Sequence, residues 1–220
     1  SQAILCKQAG YDAAVATLTR TLQTVFPSPQ IDYAALSTVY PLHPVTLDLL
    51  GEIRDRFSQT RGIVDFVTTV LAGDPTRNRL PFLHQPIGSL VTPDLIVDHF
   101  RDLFEIQPEF LPLAQHLFPY YERHLNDLFT TPAQRELAWR IIKTLIVAWL
   151  TPDRRGLTAA DIALWLLLTA ARIDPKKNTQ IIERVLQQLV SKGRYVTCRE
   201  GVYTLDLADN SAVRMETLLA

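Results

Sequence analysis

Seven polar residues near the C-terminal end have the chemistry to hold a nucleic-acid backbone: Lys177, Gln180, Arg184, Gln187, Lys192, Arg194 and Arg199. Between 172 and 201 there are seven basic residues (Arg172, Lys176, Lys177, Arg184, Lys192, Arg194, Arg199) and three acidic ones (Asp174, Glu183, Glu200), a local excess of four positive charges. Lysine and arginine neutralise phosphates and release counterions. A helix presenting Gln180, Arg184, Gln187 and Gln188 can enter a major groove, where glutamine and arginine read base edges, while Arg199 from a neighbouring hairpin meets phosphate. The same surface could instead dock a protein, because fold does not dictate function.

A second candidate is Arg61, which opens an otherwise apolar helix. Its planar, permanently charged guanidinium can pair bidentately with phosphate oxygens. The structural alternative is an arginine tied to Asp65 or Glu52.

Other reactive residues read as structural. None of His43, His84, His99, His116 and His124 forms a metal-ligand pair at i, i+4. His99 falls on an apolar stripe and reads as a core residue. Asp94 and Asp98 share the first turns of a helix, where the macrodipole accounts for them without catalysis. There is no G-x-S-x-G elbow and no cysteine–histidine pairing. No G-x-x-x-x-G-K-[ST] occurs, so the loop that cradles nucleotide phosphates is missing from these 220 residues. The chain alone is therefore expected to have no catalytic residues, no metal site and no bound cofactor.

The bulk numbers narrow the class. With 47% hydrophobic residues the chain can build a sizeable core, and a net charge of -1 gives no global attraction to nucleic acid or membrane. Cys6 and Cys198 are too far apart in sequence for a metal motif or disulfide framework, which fits a reducing cytoplasm. No apolar run reaches transmembrane length, so no membrane partner is expected. The initial Ser1 reads as an excised fragment or a processed terminus.

The elements that must position these residues are mostly helices. Val15, Leu18, Leu22 and Val25 follow helical spacing, and Asp32 can cap a short helix to Val39. Residues 45–57 form an amphipathic helix, and the helix containing Ile63, Phe66, Val67 and Val70 stops at Gly73. Thr92, Pro93 and Asp94 open another, with a stripe running to Phe104. Leu113 to Phe129 is predicted helical with a kink at Pro119. Pro132 to Trp149 is a long helix, Thr158 and Asp161 have capping-box spacing, and a further helix starts at Asn178 or Thr179. The period then changes. Val196 to Leu205 alternates about Glu200 and Gly201 as a hairpin, pairing Cys198 with Tyr203 and Val196 with Leu205 on one covered face. Helices followed by a hairpin give a winged-helix-like section.

Residues Pro41–Pro44 (PLHP), the leucine-rich helix after them and Gln59–Phe66 (QTRGIVDF) resemble the helical lid of large prokaryotic AAA+-like P-loop ATPases. These include ATPases of bacteriophage-exclusion defence systems and, more distantly, origin-recognition-like ATPases with a lid followed by a winged helix. The resemblance covers about 35 residues well, and the lid-then-winged-helix order covers most of the chain loosely. It implies that Arg61 senses nucleotide and that ATP and magnesium are held by a P-loop core outside this sequence. It also implies a lid at 1–75, a helical connector at 76–130, a winged-helix-like domain at 131–208 and a tail at 209–220. The expected partners are that P-loop core, double-stranded DNA or a protein, and other defence-system proteins. The alternatives are a winged-helix transcription regulator and a helical docking scaffold.

Overall fold

The computed structural model describes residues 2–26, 31–53, 56, 62–77, 79–86, 88–151, 154, 156–167 and 174–207, with backbone alone at 2–9, 77 and 175. The chain is mainly α-helical and carries a small antiparallel hairpin near its C-terminal end. The expected tail at 209–220 lies outside the described residues.

The first section holds α1 (Gln2–Val25), α2 (Tyr33–Val39), α3 (Pro44–Ile53) and α4 (Ile63–Ala72). Asp32 caps α2 by accepting from the amides of Ala34 and Ala35 at 2.9 and 3.0 Å. Gly73 ends α4 with φ 80°. The chain doubles back there so closely that a Cβ on Gly73 would lie 2.7 Å from the Pro81 nitrogen, which restricts the position to glycine. The anticipated helix 45–57 is described only to Ile53, and Phe57 lies outside the described residues.

Next come α5 (Asp94–His99), α6 (Leu103–Ile106) and α7 (Phe118–Leu128). The stripe expected to run unbroken to Phe104 is divided between α5 and α6, although Ile96, Phe100 and Phe104 are all buried. Ahead of Pro119 the chain winds as a π-helix over Leu113–Leu117. Proline has no N–H to continue the ladder, so the irregularity falls in the turn before it.

The last section comprises α8 (Pro132–Leu150), α9 (Ala159–Leu166), α10 (Pro175–Lys192), β1 (Val196–Arg199) and β2 (Val202–Leu205). Thr158 and Asp161 form the anticipated capping box. The hairpin register pairs Val196 with Leu205 and Cys198 with Tyr203, as the alternation predicts. Its turn residues Glu200 and Gly201 have φ 51° and 79°, the two positive values of a type I′ turn. Leu157 forms an isolated antiparallel bridge to β2, exchanging backbone bonds of 3.0 and 2.8 Å with Tyr203. α8, the Leu157 bridge, α9, α10 and the hairpin follow one another in that order.

One cluster of buried apolar side chains runs from Leu22 to Leu205 through all three expected sections. Phe104, Phe110 and Phe118 link the middle section to Trp149 and Trp139 of α8 through edge-on ring contacts of 5.4 to 6.4 Å. Among the described residues no helix is long and apolar enough to cross a membrane.

Candidate nucleic-acid interface

Helix α10 starts at Pro175, earlier than the expected Asn178 or Thr179. Asp174 is its cap and accepts from the Lys176 amide at 3.1 Å. Proline at the first helical position loses no bond, because that N–H has no intrahelical partner. Asn178, one of the two expected start positions, is instead fully buried. Ile182, Val185, Leu186 and Leu189 are buried on the face toward α8 and α9. The opposite face must then meet solvent.

On that face Lys177, Gln180, Arg184, Gln187 and Ser191 are exposed at spacings of three, four, three and four. They form one straight polar ridge about 21 Å long at 1.5 Å per residue. No acid lies on the ridge, and Glu183 is half-buried beside it. Lys192 and Arg199 are exposed as well, Arg199 at the end of β1 next to the turn. A groove of about 610 Å³ separates α10 from the hairpin, lined by Arg184, Gln187, Lys192, Cys198 and Tyr203 among others. Burial, with Cys198 beside it, raises the Tyr203 phenol above its ordinary value, so it remains an uncharged donor at neutral pH.

Three residues are placed differently from expectation. Gln188 is half-buried and its side-chain amide donates to the Leu128 carbonyl, which takes it off the exposed ridge although it still lines the groove beside the hairpin. A carbonyl at the end of α7 needs a donor, and Gln188 is the neighbour that supplies it. Cys198, expected on the covered face, is exposed on the groove wall although its pairing partner Tyr203 is buried. Arg194 is exposed but leaves the ridge: its guanidinium carbon sits 5.4 Å from the Tyr120 ring, and the Tyr121 hydroxyl donates to its backbone carbonyl. Arg172 lies outside the described residues.

Arg61 also lies outside the described residues. The two carboxylates considered as its partners both hold other groups. Glu52 pairs with Arg154 at 3.1 Å, and Asp65 lies 3.0 Å from His99 Nε2. His99 is buried between Phe66 and Phe100, with ring centroids at 5.3 and 4.6 Å, which is the core role expected of it.

Sequence reasoning missed the charged contacts that join α5 to α8. Asp94 is 2% exposed and accepts from Arg140 Nε at 3.1 Å, while Arg140 also donates to the Thr92 hydroxyl at 3.0 Å. Lys143, 6% exposed, bonds Asp98 at 2.7 Å and lies 3.8 Å from Asp94. Acids four apart on α5 thus face cations three apart on α8. The i, i+4 and i, i+3 spacings were the signal; what paired them was the packing of the helices.

His43 is a further missed residue. Its Nδ1 accepts from the Val45 amide at 3.1 Å, which caps α3. The proton therefore sits on Nε2, which lies 3.2 Å from the Leu164 carbonyl and donates to it. Burial pushes the imidazole pKa down to about 4, against the raising effect of the Leu164 bond. Among the described residues no three His, Cys, Asp or Glu side chains converge as metal ligands. Comparison with protein-family models, curated proteins and solved structures finds no match for this chain.

Proposed function

We propose that this chain is the lid and winged-helix portion of a cytoplasmic P-loop ATPase, and that its winged helix contacts duplex DNA. The observation that carries the DNA reading is the acid-free ridge Lys177–Gln180–Arg184–Gln187–Ser191, exposed along α10 beside a hairpin bearing Arg199. A helix of this diameter fits the major groove of B-form DNA, and lysine and arginine on its open face neutralise phosphates. In this reading Arg61 senses nucleotide bound by the P-loop core, and the lid's movement reaches DNA through the winged helix. ATP and magnesium belong to that core. A role in phage defence, alongside other defence-system proteins, follows from the lid resemblance alone.

Fluorescence anisotropy on a labelled duplex at low and high salt tests the DNA reading. Salt-dependent binding that is lost in Arg184→Glu with Arg199→Glu supports it. Absence of binding at low salt overturns it and favours a protein-docking module. For the ATPase reading, Arg61→Ala in the intact protein should slow nucleotide turnover, whereas a helical scaffold or a transcription regulator would show no such effect.

A further inference from the structure

We propose that the groove between α4, the 74–90 loop, α5 and α8 binds a small aromatic carboxylate. The groove encloses about 720 Å³, within the range of small-molecule sites. Val70, Leu80, Phe82, Leu95 and Trp139 supply its apolar and aromatic wall, and Arg79, Arg101, Asp98 and Glu122 its charges.

Those charges do not cancel equally. Glu122 is held by Arg101 at 2.7 Å, and Arg101 also lies against the Phe118 ring. Asp98 is held by Lys143 at 2.7 Å. Arg79 donates to the backbone carbonyl of Asp98, and among the described residues it has no carboxylate partner. One guanidinium is thus left to pair with one carboxylate, a charge-assisted contact that its planar fork favours. The nearby Asp98 and Glu122 disfavour a polyanion such as a nucleotide triphosphate.

The loop that delivers Arg79 is a built feature. Asp74 and Arg79 exchange backbone bonds of 2.9 Å each way, and the Asp74 side chain accepts from the Thr76 amide at 3.0 Å. The tight return at Gly73 (φ 80°) permits that closure. Beside Arg79 the same loop leaves Leu80 81% exposed on the groove wall, apolar surface that a bound ring would cover. An aromatic ring against Trp139 and Phe82 with its carboxylate on Arg79 satisfies both halves of the site.

The test titrates the protein with naphthalene-1-carboxylate and, in parallel, uncharged naphthalene-1-methanol, by calorimetry and tryptophan fluorescence. Saturable binding of the carboxylate is expected, with the alcohol and the Arg79→Met variant each weaker by about tenfold or more. Arg79→Lys, which keeps the charge, should bind at an intermediate level, and circular dichroism melts check that both variants fold. No saturable binding of the carboxylate to the folded wild-type protein overturns the proposal. So does equal binding of carboxylate and alcohol, or binding that Arg79→Met leaves unchanged.

Discussion

The imidazole of His43 and the carbonyl of Leu164, 121 positions apart in sequence, meet at 3.2 Å. Leu164 lies in the last turn of α9, and its carbonyl also accepts from the Leu167 amide at 3.2 Å. His43 therefore closes two helix ends at once, the start of α3 with Nδ1 and the end of α9 with Nε2. Helix ends leave backbone groups without intrahelical partners, so a side chain that serves two of them ties the elements together. Glu52 and Arg154 add a second tie between the same sections, at 3.1 Å.

His43 makes stability depend on pH. Its folded pKa of about 4 lies below the ordinary 6.5, so the folded chain favours the neutral imidazole. The contribution is complete above pH 6.5 and is lost as pH falls from 6.5 through 4, where the unfolded chain binds the extra proton. A gap of that size corresponds to about 3 kcal/mol. Urea unfolding at pH 7, 5.5 and 4.5 should show the decline, and His43→Gln should remove this part of it. An identical pH profile in the variant would assign the decline to other groups.

The Asp94–Lys143–Asp98 contact predicts an unequal mutational response. Lys143→Met leaves buried Asp94 with Arg140 as its one remaining cation among the described residues, and should cost about 2–4 kcal/mol. Asp98→Asn should cost less than about 1 kcal/mol, because that carboxylate is 43% exposed and partly solvated. Chemical denaturation of the two variants at neutral pH checks the order. Equal losses would mean that the buried charge is not what the pair protects.

Gly156 is predicted to be sensitive for a packing reason. A Cβ there would lie 2.4 Å from Val202 Cγ1 and 2.9 Å from Thr204 Cγ2. The bridging residue Leu157 must then move away from β2 or the hairpin must shift. Gly156→Ala should destabilise by about 1–3 kcal/mol. Amide exchange at Tyr203, whose N–H donates to Leu157 at 2.8 Å, should rise in the variant more than at Leu186 in the core.

On the α10 ridge, positioning and reading contacts should separate. Lys177→Ala is expected to weaken duplex binding on all sequences alike and to lower the salt slope by about one. Gln187→Ala should leave the salt slope unchanged and alter preference among duplexes. Arg194→Ala, whose side chain lies on Tyr120 away from the ridge, should affect affinity less than Arg184→Ala. Anisotropy titrations across salt concentrations measure all three. Loss of affinity through Arg194 equal to that through Arg184 would extend the surface toward α7.

What the sequence determined by itself was local. Caps at Asp32 and Thr158, the stop at Gly73 and the alternation about Glu200 and Gly201 were all legible, because each depends on residues within one helical turn or one hairpin. The outward set on α10 was legible for the same reason: burying Ile182, Val185, Leu186 and Leu189 forces Lys177, Gln180, Arg184 and Gln187 to the other side. Tertiary structure alone decided what meets across elements. It tied Gln188 to Leu128, left Cys198 exposed opposite a buried Tyr203, and set Arg194 on Tyr120. It also matched Asp94 and Asp98 with Arg140 and Lys143, and brought His43 to Leu164. Those pairings follow from the packing of buried faces, and a periodic pattern states that a face is buried without naming the face that covers it.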